Sequence, residues 1–353
     1  MKTSATLQSV LYCVLCVPLC LLIVSCSASL AFQPGEERAK GDERRITADI
    51  IAAIKAISLE RSGGGAVKRF NQAKGLACLN ADFHVPDTLS SKLQQGLFAQ
   101  PGHYRAMFRF ANASTDDDRD KDFRGMSIKV RGVGGKSLWG EDGAQDFLLN
   151  SHPALFAATP GEFLNFIEAT ADGKLWKFFL KPGNWDSLWI VFRGREKISS
   201  PLDISYWSTT PYRFGSDESV AVKYAAWPCS TVSSQTPDDP GPNYLSKAVA
   251  DHLERAPACF DFMLQFQKDP KDMPVEDASV TWDESVSPFE TVARITIENQ
   301  VFSTEQARAE CESMTFNPWQ SLPEHRPIGG INRVRRAVYS EVATFRQGRN
   351  LAQ

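Results

Sequence analysis

The stretch that decides the fold is INRVRRAVYSEVATFR, residues 331–346, close to the end of a 353-residue chain. Each residue of a helix turns by about 100°, so Arg335, Tyr339, Val342 and Arg346 would lie within about 60° of one another on one face. A guanidinium close to a phenol favours the ionised phenolate, a hard anionic ligand that suits ferric iron. The pattern predicts a helix that has either an ordinary basic surface or a tyrosine ligand for iron.

Composition excludes some classes of partner. The formal net charge of -3 gives no electrostatic case for binding nucleic acid. Hydrophobic residues make up 42% of the chain, which is ample for a buried core. The length is typical of one or two domains.

Residues 1–32 are predicted to be a signal peptide or leader. Their apolar run is shorter than the roughly 20 residues that a spanning helix needs. IVSC, ending at Cys26, resembles the lipid-attachment box of bacterial lipoproteins, whereas SLAFQP resembles a cleavage site of algal plastid leaders. We therefore expect an exported protein, periplasmic or a membrane-anchored lipoprotein in a bacterium, and plastid or secretory in an alga. Membrane association through a retained leader or lipid anchor is left open.

Behind the leader, residues 33–60 are predicted to form an arm and an amphipathic helix that begins near Thr47 or Asp49. Its apolar stripe consists of isoleucines at helical spacing, Ile46, Ile50, Ile54 and Ile57. Residues 61–353 are predicted to form the main domain.

In the main domain, alternating apolar residues predict strands, and longer periodic segments predict helices. The strands are expected at residues 75–85, 104–114, 125–133, 144–150, 219–228, 260–267 and 291–302, with helices at 159–170, 243–256 and 331–346. The acidic loop 115–123 is expected to be a solvated turn. This pattern favours an α+β fold around an antiparallel barrel or large sheet.

Four cysteines follow the leader and are widely spaced: Cys78, Cys229, Cys259 and Cys311. The absence of a C-x-x-C pair argues against a zinc site, and disulfide formation is left open.

Several short motifs together resemble the catalase superfamily. Arg335 and Tyr339 match the R-x-x-x-Y proximal motif of catalases, and another arginine, Arg346, follows seven residues later. FRFANAS, FRGMSIKV and SYWSTTPYRFG are similar to other catalase segments. Asn150 stands where catalases have a distal asparagine, with Phe163 thirteen residues beyond. The resemblance runs from about residue 46 to the C-terminus and is strongest to short catalase-related haem proteins.

The resemblance implies a catalase-like antiparallel β-barrel with surrounding helices and haem b, carrying ferric iron, between the barrel and the C-terminal helix. Tyr339 would be the metal ligand, held by Arg335. Guanidinium groups would pair with the haem propionates, and one aromatic ring would stack on the porphyrin. The cofactor-binding residues implied in this way are Arg69, Arg109, Phe163, Arg335 and Arg346.

The distal side departs from the family. Catalases have a histidine directly before A-K-G, whereas this chain has Gln72 there, preceded by Asn71. The histidine acts as general base and then acid, and loss of such a group typically costs about 10²–10⁴-fold in rate. An amide forms hydrogen bonds but does not shuttle protons. Gln72 and Asn150 are therefore predicted as the catalytic pair of a polar pocket, and His152, two residues beyond, is assigned a structural role.

Three hypotheses follow from the sequence. The first is a haem enzyme that converts organic or lipid hydroperoxides, with weak or absent dismutation of hydrogen peroxide. The second is a catalase or peroxidase that decomposes hydrogen peroxide. The third is a haem-binding protein without turnover, or a haem-free structural relative. Homo-oligomer formation is left open.

Overall fold

The computed structural model describes residues 33–352. The leader predicted for residues 1–32, with its lipoprotein-like and plastid-like motifs, lies outside the described residues. Across the range 33–352, no helix is both long enough and apolar enough to cross a bilayer.

A closed antiparallel β-barrel forms the centre of the fold. The strands are β1 (Gly75–Val85), β2 (Gly102–Asn112), β3 (Arg124–Arg131), β4 (Ala144–Asn150), β5 (Tyr206–Trp207), β6 (Tyr212–Arg213), β7 (Ala221–Pro228), β8 (Ala258–Phe266) and β9 (Glu290–Ile297). Eight of them pair in the order β5-β4-β3-β2-β1-β9-β8-β7, and β5 pairs with β7 to close the ring, while β6 adds to β7. The predicted α+β barrel is confirmed.

The seam of the barrel is short and lies beside a predicted site residue. β5 has two residues, of which Trp207 pairs with Asn150 of β4 and Tyr206 pairs with Ala226 of β7. The C-terminal end of β4 is therefore held where the barrel closes.

Aromatic side chains fill the barrel interior. Successive side chains of a strand point to opposite faces, so alternate residues of each strand meet inside. Phe83, Phe147, Tyr224 and Phe262 are fully buried there. The ring centroids of Phe147 and Phe262 are 4.7 Å apart, and those of Phe147 and Tyr224 are 4.9 Å apart. The barrel is thus a packed core rather than a channel.

Helices surround the barrel. They are α1 (Glu43–Ser62), α2 (Pro160–Ala171), α3 (Leu175–Phe179), α4 (Trp185–Gly194), α5 (Tyr244–Arg255), α6 (Glu305–Ser313) and α7 (Gly330–Leu351), with short 3₁₀ turns at Gly96–Phe98, Pro182–Asn184 and Pro323–His325. The isoleucine stripe of α1 is buried against α2 and α7, as the sequence predicts.

The predicted start of α1 is wrong by between one and two turns. The helix begins at Glu43, and Thr47 lies inside it, where its hydroxyl donates to the Glu43 carbonyl over 2.7 Å. Arg333 of α7 donates to the Glu43 carboxylate over 2.6 Å, which holds the first turn in place. Sequence spacing could not reveal this partner because it lies 290 residues away.

The expectation of a solvated turn at residues 115–123 is also wrong. Asp118 and Asp122 are almost fully buried. Asp118 pairs with the Lys74 ammonium at 2.7 Å and accepts from the Leu245 amide at 3.0 Å. The carboxylates anchor the loop because each is supplied with donors from the surrounding chain. Residues 175–194, for which the pattern predicts no element, form α3 and α4.

Two disulfides answer the question that the cysteine spacing left open. Cys78 of β1 bonds to Cys311 of α6, and their Cα atoms are 6.0 Å apart. Cys229 bonds to Cys259 of β8, with Cα atoms 5.2 Å apart. The first bridge ties a barrel strand to a helix 233 residues further along the chain.

His325 is buried between the barrel and the 3₁₀ turn at Gly96–Phe98. The Leu97 amide donates to its Nε2 over 3.0 Å, and the Tyr224 hydroxyl lies 3.1 Å from its Nδ1. Burial lowers the pKa of His325 from 6.5 to about 3. The folded protein therefore holds a neutral imidazole at neutral pH.

This histidine makes folding stability depend on pH. Below pH 6.5 the unfolded chain takes up a proton at His325 and the folded chain does not until about pH 3. Stability should therefore fall as pH drops through this window, by about 1.4 kcal/mol per unit. His325→Gln, which keeps an acceptor for the Leu97 amide, should flatten this slope in urea unfolding measured between pH 7 and 4. The control Leu97→Ala should destabilise the protein and keep the wild-type slope; equal slopes in both variants would contradict the assignment.

Candidate functional site

The C-terminal helix α7 presents the predicted tyrosine and arginine side by side. Nη2 of Arg335 donates to the Tyr339 hydroxyl over 3.1 Å, and the guanidinium carbon lies 5.0 Å from the centre of the tyrosine ring. Both side chains are half-buried. One turn of helix therefore places a fixed cation at the phenol oxygen, as the spacing predicts.

Arg335 is itself held by polar groups that were not predicted from the sequence. Its Nη1 donates to the Asn332 side-chain oxygen over 3.1 Å and to the Thr210 hydroxyl over 3.3 Å. Burial opposes the positive charge of Arg335, but its contacts with Tyr339 and Tyr212 outweigh burial, and its pKa lies above the ordinary value. The segment 206–213 thus supports the arginine from the barrel side.

Three arginines from distant parts of the chain converge on Glu312. Arg69 forms an ion pair with the Glu312 carboxylate, and Nη2 of Arg109, on β2, lies 3.2 Å from the same carboxylate. Nη1 of Arg346, on α7, donates to the Glu312 carbonyl over 2.9 Å. The structure therefore brings together the three arginines that the sequence groups as propionate partners.

This cluster holds more positive than negative charge. The three guanidinium groups, Arg69, Arg109 and Arg346, face a single carboxylate, Glu312. Burial and repulsion from Arg109 and Arg346 lower the pKa of Arg69 to about 9, although Glu312 opposes the shift. Burial likewise lowers the pKa values of Arg109 and Arg346. Counted over these four side chains, the site has a surplus of two positive charges.

No sequence signal identifies Glu312. It lies on α6, a short charged helix, and an acidic residue there would normally be a solvent-facing one. The Cys78–Cys311 bridge attaches α6 to β1 directly beside it. Glu312 therefore joins the cluster through a covalent link that cysteine spacing left open.

Gln72 occupies a constrained position in contact with Arg109. Its backbone has φ of 57°, a left-handed conformation that is uncommon outside glycine. The backbone N–H of Gln72 donates to the Ala113 carbonyl over 2.9 Å, and the backbone carbonyl of Gln72 accepts from Nη2 of Arg109 over 2.9 Å. Its side chain lies over Gly125, where an added Cβ would come within 2.1 Å of Nε2. Gly125 is thus required for the observed position of the Gln72 side chain.

The strand register brings Asn150 to the same place. Asn150 is the residue directly opposite Gly125 in the β3–β4 pair. Its Oδ1 is buried and has no hydrogen-bond partner within the described residues. A buried polar atom without a partner is costly, and such atoms are concentrated at sites that accept a ligand or water. Gly125 thus has the Gln72 side chain over it and Asn150 opposite it, which places two polar residues beside the barrel seam.

The contacts of His152 do not suit the role of a substitute base. Its Nδ1 lies 3.0 Å from the Ala154 carbonyl, and its ring packs edge-on against Phe123 with centroids 6.1 Å apart. Burial lowers its pKa. These contacts agree with the structural role assigned to it.

Phe163 joins the apolar side of the site to α7. It lies on α2, 6.1 Å from the ring of Phe156. Phe163 and Val342, which shares a helix face with Tyr339, pack against the same buried cluster of α1, α2 and α7. The three helices thus hold the predicted stacking ring near the tyrosine helix.

Comparison with proteins of known structure identifies the fold. Neither a protein-family model nor a curated protein sequence matches the chain. Solved structures do. A fungal catalase superposes with a TM-score of 0.67 at 18% identity, over 84% of this chain and 62% of that one. Catalase A from Saccharomyces cerevisiae gives 0.65 at 20% identity, over 84% and 64%. A bacterial catalase gives 0.62 at 16% identity, over 91% and 64%.

The chain has the catalase fold. It spans less than two thirds of the length of each of these catalases. At these levels of identity the likeness establishes architecture and leaves the activity to be argued from the residues.

The residues present fit a haem. Tyr339 offers a phenol oxygen for iron. The surplus of two positive charges at the arginine cluster matches the two propionate carboxylates of the porphyrin, and planar guanidinium pairs well with carboxylate. The buried Oδ1 of Asn150, which has no hydrogen-bond partner within residues 33–352, would give the site a polar distal side, and Phe163 would supply an aromatic face.

Arg346 gives a direct test of this fit. Arg346→Leu should weaken haem retention by about 10- to 100-fold, because a charge-assisted hydrogen bond of about 1.5–3 kcal/mol is lost. Haem per chain, measured by absorbance after gel filtration, reports the effect. Arg349→Leu removes an exposed arginine one turn along α7 and should retain the wild-type haem content. Equal haem content in the two variants would contradict the role of the cluster.

Proposed function

We propose that the chain is a haem-dependent enzyme that converts organic hydroperoxides, including lipid hydroperoxides, with weak or absent dismutation of hydrogen peroxide. The observation that carries this proposal is Gln72, which stands where the resemblance to catalases places the distal histidine. The catalase fold and the paired Arg335 and Tyr339 support a peroxide substrate.

When bound, haem iron would supply the chemistry that breaks the O–O bond. The chain supplies the surroundings. Tyr339 would hold the iron, and Arg335 holds Tyr339 through its 3.1 Å hydrogen bond. Arg69, Arg109 and Arg346 would bind the propionates.

Gln72 and Asn150 determine which peroxide chemistry is fast. Their amides can donate hydrogen bonds to the two oxygens of a hydroperoxide and orient it. Neither amide can take a proton from one oxygen and return it to the other near neutral pH. Hydrogen peroxide dismutation needs this transfer, so the polar pair favours substrates whose conversion depends less on it.

A second candidate is a catalase or peroxidase acting on hydrogen peroxide. The three solved structures reported above are described as catalases, which favours it. The two candidates differ in whether Gln72 limits the rate. Oxygen evolution from hydrogen peroxide, per haem, and consumption of an organic hydroperoxide such as cumene hydroperoxide therefore separate them. A haem-loaded protein inert toward both substrates would be a binding protein.

Restoring the histidine tests the proposal. Gln72→His should raise oxygen evolution from hydrogen peroxide by about 10²-fold or more, because a general acid–base group is returned. Histidine tolerates the left-handed backbone at this position better than most residues. Asn71→His places the same imidazole one residue away on an exposed side chain and should change little.

Suppose that oxygen evolution by the wild type is slow and that Gln72→His does not raise it while haem content is unchanged. Proton transfer then does not limit the reaction, and the proposal fails. If the wild type is already fast and the variant changes little, the catalase candidate is correct.

We also propose export to an oxidising compartment. The two disulfides, Cys78–Cys311 and Cys229–Cys259, support this because such bonds persist outside the reducing cytosol. A bacterial periplasm, a lipid-anchored location and an algal plastid or secretory compartment remain the alternatives set by the leader motifs.

A further inference from the structure

The hairpin formed by α3 and α4 carries large apolar side chains on its outside. Three tryptophans, two leucines and a phenylalanine are between 44% and 71% exposed. We call them the aromatic face: Trp176, Leu180, Trp185, Leu188, Trp189 and Phe192. A group of large apolar side chains exposed on one surface marks an interaction site.

The inward side of α4 explains why these residues face outward. Ser187 and Gly194 are the buried residues of this helix. An added Cβ on Gly194 would lie 2.2 Å from the Phe123 ring and 2.8 Å from the His152 ring. The helix thus packs against Phe123 and His152 through Gly194 and exposes its large residues, the reverse of an ordinary surface helix.

Basic residues surround the aromatic face. Residues 174–197 contain six lysines and arginines and two acidic residues, although the whole chain has a net charge of -3. Lys174, Lys177, Lys181, Arg193 and Lys197 are exposed. The Arg193 guanidinium lies 5.2 Å from the Trp189 ring, and the Lys177 ammonium lies 5.7 Å from the Trp176 ring.

We propose that the aromatic face docks on the surface of an anionic lipid bilayer. Tryptophan, leucine and phenylalanine on one side of a short helix, with lysine and arginine around them, are the composition of an interfacial membrane-binding element. Tryptophan prefers the headgroup region, and the basic rim complements anionic lipid. A symmetric contact between two copies would place the same basic patches against each other, so charge disfavours self-association.

The aromatic face lies next to the candidate site. The inner end of α4 contacts His152, two residues after Asn150. On the other side, a row of phenylalanine rings links α3 to the site. The Phe178 ring of α3 lies 5.5 Å from the ring of Phe166. The Phe166 ring lies 4.4 Å from the ring of Phe156, which is the neighbour of Phe163. A docked bilayer would therefore lie beside the elements that carry the distal residues. Docking requires neither haem nor turnover, so its test is independent of the proposed function.

Tryptophan fluorescence of the full chain can test docking, because residues 1–32 contain no tryptophan and cannot produce the signal. Vesicles of phosphatidylglycerol and phosphatidylcholine with brominated acyl chains should quench the fluorescence. Pure phosphatidylcholine vesicles, or high salt, should reduce the quenching. The double variant Leu188→Ser/Phe192→Ser keeps all eight tryptophans and should bind about 100-fold more weakly, since each apolar side chain contributes about tenfold.

The matched control is Val286→Ser/Val301→Ser, which removes two exposed apolar side chains elsewhere, 54% and 80% exposed. It should bind vesicles like the wild type. The proposal is wrong if the wild type shows no quenching on anionic vesicles, or if Leu188→Ser/Phe192→Ser is quenched as strongly as the control. It is also wrong if sedimentation shows a dimer that only this variant dissociates and vesicles do not quench; the aromatic face would then be an interface between copies.

Discussion

Three like charges in a largely buried cluster constrain the rest of the structure. Arg69, Arg109 and Arg346 come from a loop, a barrel strand and the last helix, and one carboxylate, that of Glu312, faces them. Such a cluster is unfavourable in isolation because desolvation and mutual repulsion both act against it. The covalent bond from Cys78 to Cys311 and the pairing of β1 with β2 hold its parts together. A dianionic ligand would relieve the repulsion that the fold imposes.

The tyrosine side and the distal side of the site are held in position in different ways. On the tyrosine side, Arg335 is fixed by Asn332 and Thr210, so the helix and the barrel position it together. On the distal side, Gln72 is fixed through its backbone, while its amide occupies space that Gly125 leaves free. A side chain of similar size can be exchanged there without rebuilding the barrel. The fold therefore allows the side chain at position 72 to change while the geometry of Arg335 and Tyr339 is kept.

Sequence patterns predicted the parts of the fold whose cause is local. The strands β1 and β4 and the isoleucine stripe of α1 follow from periods of two and about 3.6 residues. The helix face with Arg335 and Tyr339 follows from the same period. Glu312, Asp118 and the partner of Glu43 could not be predicted in this way, because each depends on a residue far along the chain. Charged residues look solvated in a sequence until tertiary structure supplies their partners.

Helix α4 shows the opposite case, in a segment for which the sequence pattern predicts no element. A periodic pattern assigns the large apolar side to the core, yet here that side is outside and Ser187 and Gly194 are inside. Exposing Trp185, Trp189 and Phe192 to water is unfavourable, since burial of each such side chain is worth about 1.5–3 kcal/mol. A domain that can pack small residues inward retains this arrangement most readily when another apolar phase covers the outside. The inverted helix and the basic rim around it thus have one physical explanation, a surface shaped for the interface of an anionic bilayer.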